Sequence, residues 1–238
     1  MKYVFVADID GDIDDIIAIE WLHREDLLEC VVMDGQSRNS SLEAYVSNLP
    51  ARFSHEIPNG TKIVLCGGSL TKVADYLKSG NTLELLIMNG GFAGTNLVDP
   101  KDELPKFKNK KEVRTYNFNL DLPATNYVLT SKDIGAIYLI SKNVCHHIKN
   151  TLSGIYNGFK YDWIYNRYRI RDDKRLHDLL MSQEGVKIIN GDISSALLSY
   201  KQVKPYYVKN DNDPDNMAKW GSELNDFSNI FITVGWIK

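Results

Sequence analysis

Short apolar runs alternate with segments of helical apolar spacing along the first half of the chain. The runs predict buried strands at Tyr3–Ala7, Leu28–Met33, 62–66 and 83–88. Between and after them, the spacing of apolar residues predicts helices at 13–23, 41–49 and 70–77. This βαβα order predicts an α/β fold, with an open, mostly parallel, doubly wound, Rossmann-like sheet flanked by helices.

The second half of the chain is less regular. Residues 97–115 are rich in lysine and lack periodicity, which predicts an exposed insertion. The later predicted elements are a helix at Leu122–Thr130, a strand at 136–140, an aromatic-rich helical region over 144–181, β-like runs at 186–189, 205–208 and Ile230–Trp236, and a polar turn at 210–216. No repeat, low-complexity tract or clear linker interrupts this pattern, so we expect residues 1–238 to form a single domain.

Composition narrows the classes of function. The chain has 238 residues, of which 43% are apolar and 25% charged, as in an ordinary globular domain. Its net charge of −3 argues against nucleic acid as the main partner. The cysteines, Cys30, Cys66 and Cys145, fit neither a disulfide framework nor CxxC metal spacing, which predicts a cytoplasmic protein. We expect no signal peptide and no membrane span, since no apolar run approaches the roughly 20 residues that a span needs.

An acidic turn joins the first predicted strand to the first predicted helix. Within eight residues the chain places five aspartates: Asp8, Asp10, Asp12, Asp14 and Asp15. In an open α/β sheet this turn lies at the carboxyl ends of the strands, where ligands bind. Like charges so close together repel one another unless they ligate a hard cation or some of them stay protonated. We therefore predict a metal site that is also a reaction centre.

Other interpretations of the acidic turn stay open at this point. One or two of the acids could cap the helix and interact with its dipole, although capping does not account for five. An EF-hand loop would need a glutamate where the chain has Ile19. A phosphatase that resembles the haloacid dehalogenase type would use Asp8 as nucleophile and Asp10 as general acid, together with Mg²⁺.

Further segments follow the acidic turn, each in a loop or at the carboxyl end of a predicted strand. They are NSSLEAYVSN at 39–48, CGGSLTKVA at 66–74, IMNGGFAGTN at 87–96, YNFNLDLPATNYVL at 116–129, YNRY at 165–168 and RLHDLLM at 175–181. Together with the doubled Asp14–Asp15, they resemble the motifs of the inosine–uridine type nucleoside hydrolases, in the same order and over nearly the whole chain. The dehalogenase type accounts for the first motif but not for the pair His177–Asp178.

The resemblance implies a Ca²⁺-dependent N-glycosyl hydrolase that releases base and ribose from a ribonucleoside or related ribosyl compound, in purine or pyrimidine salvage, as a homo-oligomer. The implied Ca²⁺ ligands are Asp10, Asp15, the Gly67 carbonyl and Asp178. A backbone ligand places no demand on the side chain at position 67. Asp10 is the implied general base towards a cation-held water, and His177 lies over the leaving base. The implied ribose-binding residues are Asp14, Asn39, Asn89, Asn96, Asn117, Asn119 and Asp178.

One departure from the family motifs bears on the substrate. Asn117 stands where the family has a glutamate that binds the sugar 5′-hydroxyl, and an amide hydrogen-bonds without carrying a negative charge. This loosens the demand for a free 5′-hydroxyl and admits a 5′-substituted or phosphorylated ribose. The lysines of 97–115 either meet such a phosphate or belong to a solvated loop.

Several functions are therefore compatible with the sequence. The best supported is hydrolysis of an N-glycosidic bond, in a nucleoside or in a nucleotide or ADP-ribose-like compound. The alternatives are a dehalogenase-type phosphatase that uses Asp8 and Asp10, and a ribosyl-ligand binding protein with little catalytic activity.

Overall fold

The computed structural model describes residues 2–8, 14–34, 48, 51–147, 177–191, 198–209, 215 and 217–236. Its strands are β1 (Tyr3–Ala7), β2 (Leu28–Met33), β3 (Arg52–Ser54), β4 (Ile63–Cys66), β5 (Leu83–Asn89), β6 (Val113–Arg114), β7 (Ile134–Ile140), β8 (Leu198–Val208), β9 (Lys219–Leu224) and β10 (Ile230–Trp236). Its helices are α1 (Asp14–Arg24), α2 (Thr71–Lys78), α3 (Tyr116–Leu120), α4 (Leu122–Thr130), α5 (Lys142–His147) and α6 (His177–Ile189), with a 3₁₀ turn at Pro105–Phe107.

The described strands form one sheet in the order β3–β2–β1–β4–β5–β7–β10–β8–β9–β6. Neighbouring strands are parallel from β3 to β10. The remaining strands, β8, β9 and β6, pair in antiparallel fashion at one side of the sheet. The predicted α/β class with a mostly parallel, helix-flanked sheet is confirmed.

The topology places a crevice beside β1. The chain passes from β1 outward to β2 and β3, and it then returns to β4 on the other side of β1. The carboxyl ends of β1 and β4 therefore mark the topological switch point of the sheet, which is where open α/β sheets bind ligands.

Apolar side chains cover both faces of the sheet. On one face, Phe5 of β1 packs in a buried cluster with Ile17 of α1 and Leu180 of α6. On the other face, Val64 of β4 belongs to a second cluster together with Val73 of α2. Because the parallel strands are covered on both faces, they appear in the sequence as nearly continuous apolar runs.

Some predicted elements are wrong or were missed. Residues 186–189 are the end of α6 rather than the predicted strand, because a short apolar run can belong equally to a buried helix. Three strands were not predicted: β3 and β6 are only three and two residues long, and β9 carries polar residues through much of its length.

The stretch 97–115 is tied to the body of the protein more closely than an exposed insertion would be. Its lysines are exposed, as predicted, but Leu97, Val98 and Phe107 are buried. Lys201 of β8 donates a hydrogen bond to the Leu97 carbonyl (2.6 Å), and β6 closes one edge of the sheet. These few apolar residues are scattered among charged ones in the sequence, so they form no periodic pattern from which burial could be predicted.

Several predicted segments lie wholly or mostly outside the described residues. These are almost all of the predicted helix 41–49, most of the helical region 144–181, and most of the polar turn 210–216. All three cysteines are described, and they are buried free thiols. Within the described ranges, every helix is too short or too polar to cross a membrane.

Candidate metal centre and adjoining cleft

Three aspartates from distant parts of the chain meet at the carboxyl ends of the strands. Asp14 and Asp15 open α1, and Asp178 is the second residue of α6. One carboxylate oxygen from each lies within 4.8 Å of the others, and the three residues are only 8%, 1% and 2% exposed. This carboxylate cluster offers a hard cation an all-oxygen set of ligands.

The electrostatics of the carboxylate cluster also fit a cation. Burial raises the pKa of Asp15 well above its usual range, and the nearby charges of Asp178, Asp14 and Asp8 raise it further. Oδ1 of Asp15 is buried without a hydrogen-bond partner among the described residues. A divalent cation at this point would supply both the missing partner and the opposing charge.

Gly67 lies against the carboxylate cluster, directly after β4. A Cβ at this position would stand 2.6 Å from Oδ1 of Asp15 and would also overlap Oδ2 of Asp178. The expectation that position 67 places no demand on its side chain is therefore wrong, since only glycine lets the two carboxylates approach the strand end. The Gly67 carbonyl accepts a hydrogen bond from Nδ2 of Asn117 (2.6 Å), and its role as a metal ligand stays a prediction.

Two asparagines connect the carboxylate cluster to the strand ends. Nδ2 of Asn89, the last residue of β5, donates to Oδ1 of Asp178 (3.0 Å). Nδ2 of Asn117 donates both to the Gly67 carbonyl and to the Asn89 carbonyl (2.9 Å). Asn89 therefore orients a cluster carboxylate, while Asn117 holds the ends of β4 and β5 together.

A cleft with an empty volume of about 470 Å³ adjoins the carboxylate cluster. Its described lining residues are Asn89, Gly90, Thr115, Tyr116, Asn117, Lys142, Cys145, His146 and His177. His177 immediately precedes Asp178, so the cleft begins where the cluster ends. The imidazole rings of His146 and His177 are 6.0 Å apart between centroids. Asn89, Asn117 and His177 were all predicted as site residues, and all three line this cleft.

Comparison with known proteins identifies the fold. No family model matches the sequence. An uncharacterized protein of Aquifex aeolicus (strain VF5) is 31% identical over 182 residues. That alignment covers 72% of this chain and 58% of the relative, so the chain spans less than two thirds of that protein. Among solved structures, an inosine-guanosine nucleoside hydrolase (IG-NH) superposes with a TM-score of 0.59 at 12% identity, over 98% of this chain and 93% of that one. The chain has the nucleoside hydrolase fold.

On the nucleoside hydrolase fold, two other predicted sugar ligands make backbone contacts. Nδ2 of Asn119 donates to the carbonyls of Thr115 (2.9 Å) and Ala218 (3.0 Å), and its Oδ1 accepts from the Ala218 N–H (2.8 Å). Nδ2 of Asn96 donates to the Ser222 carbonyl (2.9 Å). Neither side chain lines the cleft, and their roles on the ribose stay predictions.

The remaining predicted site residues lie outside the described part of the chain. They are Asp10, predicted as the general base and a metal ligand, Asn39, predicted on the ribose, and the segment 165–168. Asp8, the nucleophile of the phosphatase alternative, is described; its backbone N lies 3.2 Å from where a Cβ of Gly68 would stand.

Asp34 was not predicted as a site residue, although it follows β2 at the same edge of the nucleoside hydrolase fold. Its side chain is 7% exposed, and its Oδ2 accepts from the backbone N–H (3.1 Å) and hydroxyl (2.5 Å) of Ser69. Burial raises the pKa of Asp34, although the Ser69 hydrogen bonds act in the opposite direction. An acid directly after a predicted strand was the available signal.

Lys142 and His146 were also missed. They lie on α5, which follows the carboxyl end of β7, and both line the cleft. A lysine after a strand is common enough that the sequence alone gave no reason to select it.

Proposed function

We propose that the chain hydrolyses the N-glycosidic bond of a ribosyl compound of the nucleoside class, releasing the base and the sugar. The observation that carries this proposal is the meeting of Asp14 and Asp15 with Asp178, beside a cleft that His177 lines. The nucleoside hydrolase fold supports it, because the carboxylate cluster lies at the ligand-binding edge of that fold.

Asp15 and Asp178, both predicted as metal ligands, would hold a divalent cation together with Asp14, which was predicted on the ribose. Ca²⁺ is the best candidate because each of these ligands is a carboxylate oxygen. Such a cation would coordinate the sugar diol and lower the pKa of a coordinated water. The fit rests on the buried Oδ1 of Asp15, on its raised pKa, and on the close approach that Gly67 permits.

The protein's own groups would divide the work between sugar and base. The buried carboxylates stabilise the positive charge that develops on the ribose in an oxocarbenium-like transition state. Asn89 keeps Asp178 oriented through its hydrogen bond. His177 lines the cleft, where it donates a proton or a hydrogen bond to the leaving base. Asp10 is the proposed general base that accepts the proton of the attacking water.

The test is a screen for base release from purine and pyrimidine nucleosides, with and without a calcium chelator. We expect release that the chelator abolishes and Ca²⁺ restores. Asp178→Asn should weaken cation binding at least as much as loss of an outer-shell partner does, which is about 10–100-fold. The matched control is Asp133→Asn. Asp133 is exposed and lies just before β7, at the amino-terminal ends of the parallel strands and away from the carboxylate cluster. Chelator-resistant release, or full activity in Asp178→Asn, would contradict the proposal.

A second assay separates the proposal from the phosphatase alternative. The purified chain is given p-nitrophenyl riboside and p-nitrophenyl phosphate in parallel, and we expect cleavage of the riboside alone. His177→Ala should slow inosine by about 10²- to 10⁴-fold while affecting the nitrophenyl riboside much less, since nitrophenolate leaves without protonation. Equal losses on the two ribosides would remove the acid role of His177.

A further inference from the structure

The cleft beside the carboxylate cluster is lined by cationic and neutral groups. Its described lining residues include Lys142, His146 and His177 but no aspartate or glutamate. The charges along the site are therefore divided: carboxylates lie at one end, and a lysine lies in the adjoining cleft. A substrate with one metal-binding end and one anionic end matches this division.

Lys142 is held in place by the backbone. Its Nζ donates a hydrogen bond to the Arg114 carbonyl (2.8 Å), which fixes the ammonium where β6 leads into α3. Lys142 and His146 are four residues apart on α5, and side chains at this spacing lie on the same face of a helix. The two groups therefore face the cleft together.

The lysine-rich stretch 97–115 adds a second cation. Nζ of Lys106 contacts Nδ1 of His146, and Phe107 packs edge-to-face on the His146 ring with centroids 5.3 Å apart. Lys106 therefore places a second ammonium group beside His146, which itself lines the cleft.

We infer that this cationic cleft binds the 5′-phosphate of the substrate, so that the substrate class is a nucleoside 5′-monophosphate rather than a free nucleoside. Lys142 and His146 hold the phosphate, while the ribose hydroxyls face the carboxylate cluster. Asn89 and Asn117 lie between the two, because each lines the cleft and also contacts the cluster or its supporting strand.

This inference rests on the proposed function, and the reaction is the same hydrolysis. The C1′–N bond breaks with its electron pair going to the base nitrogen, and the water oxygen forms the new bond to C1′. The proton lost by the water goes to the base. The products are the free base and ribose 5-phosphate, and no oxidant, reductant or further reactant is required.

The direct test compares inosine with inosine 5′-monophosphate. We expect the wild-type kcat/KM to favour the monophosphate by about tenfold or more, the usual effect of a charge-assisted hydrogen bond. Lys142→Gln removes the charge and keeps a side-chain donor on the same helix position. It should reduce the preference for the monophosphate by a similar factor, and Lys142→Arg should retain most of that preference. The control is Lys132→Gln. Lys132 is exposed and lies just before β7, at the amino-terminal ends of the parallel strands.

The inference is overturned if wild type favours inosine, or if Lys142→Gln lowers both kcat/KM values equally. A separate binding measurement tests the phosphate site if neither compound is cleaved. In that case the proposed function fails, and binding is measured by the thermal shift with ribose 5-phosphate, ribose or inorganic phosphate. Stabilisation by ribose 5-phosphate alone, lost in Lys142→Gln, would still support the phosphate site. No stabilisation, or equal stabilisation by inorganic phosphate, would overturn it.

Discussion

Burial disfavours the ionised form of a carboxyl group. The residues around the carboxylate cluster therefore determine how its negative charge is stabilised. Asp15 is buried beside two other carboxylates, with Gly67 pressed against it. Asp34 lies nearby with the donors of Ser69 on one oxygen, and its Oδ1 lacks a hydrogen-bond partner among the described residues. Two consequences at the scale of single residues can be measured.

Gly67→Ala should damage the carboxylate cluster. The new Cβ would stand 2.6 Å from Oδ1 of Asp15, so the carboxylates must move apart and the cation ligands with them. We expect cation affinity, measured by isothermal titration calorimetry, to fall by about tenfold or more, and stability to fall by about 1–3 kcal/mol. Gly235→Ala is the control, since a Cβ there meets nothing closer than 3.6 Å. Unchanged cation binding in Gly67→Ala would contradict the described packing.

Asp34 should make stability depend on pH. Because burial raises its folded-state pKa above the ordinary value of 3.8, the folded chain keeps a proton that the unfolded chain has lost. The free energy of unfolding therefore falls as pH rises from about 3.8 through the folded-state pKa. Asn does not titrate, so the stability of Asp34→Asn relative to wild type should rise over this window, by about 1.4 kcal/mol for each pKa unit that separates the folded from the unfolded state. Urea unfolding from pH 4 to pH 8 tests this, with the exposed Asp75→Asn as control. Parallel curves for wild type and Asp34→Asn would contradict it.

Residue types and order along the chain were enough to select part of this site. Asp15 was predicted from the acidic turn and the doubled aspartates. Asp178 and His177 were predicted because RLHDLLM at 175–181 resembles a nucleoside hydrolase motif. The amide of Asn119 shows the limit. Both of its polar ends bind backbone groups at Thr115 and Ala218, a use of the side chain that no local pattern reveals.

Helix α6 is the element that completes the carboxylate cluster. It packs with α1 in one buried cluster on the sheet, and the fully buried Glu184 ties it to β8 by accepting from the Leu198 N–H and the Tyr200 hydroxyl, both at 3.3 Å. Burial, with the Glu184 charge beside it, raises the pKa of Tyr200, so this hydroxyl stays a donor. The position of Asp178 thus depends on contacts along the whole helix.

Gly185 sets the distance between α6 and the sheet. A Cβ there would stand 2.9 Å from Cδ1 of Ile87 and 3.0 Å from Cδ2 of Leu65. These side-chain ends can adjust to a single methyl, so the test is the branched Gly185→Val. We expect a loss of about 1–3 kcal/mol in urea unfolding and a parallel loss of cation affinity as Asp178 moves. Gln183→Ala, on the same helix, is the control. A Gly185→Val protein with wild-type cation affinity would show that Asp178 does not depend on this packing.

In the whole molecule, the carboxylate cluster brings together residues that are far apart in the sequence. Asp14 and Asp15 follow β1 at the switch point, whereas Asp178 belongs to α6, which comes much later in the chain. A cation shared by these carboxylates would bind the folded state and not the unfolded chain. Binding should therefore stabilise the whole fold rather than one loop.

We expect Ca²⁺ to raise the melting temperature of the chelator-treated protein. At a concentration 100 times Kd the gain is about 2.7 kcal/mol. Asp178→Asn should lose most of the increase, while Asp133→Asn should keep it. Differential scanning fluorimetry with Ca²⁺, Mg²⁺ and Mn²⁺ makes the measurement. A melting temperature unaffected by all three ions would remove the carboxylate cluster as a cation site.

The sequence by itself determined the alternation of strands and helices and the acidic turn, because both follow from local periodicity and from the order of residue types. Strands β1, β2 and β10 and helix α4 begin and end where the pattern predicts. The tertiary structure alone decided that 186–189 finish a helix, that Lys106 of 97–115 contacts His146, and that a Cβ at position 67 would overlap two carboxylates. These features depend on atoms brought together from distant parts of the chain, and no local pattern records such approaches.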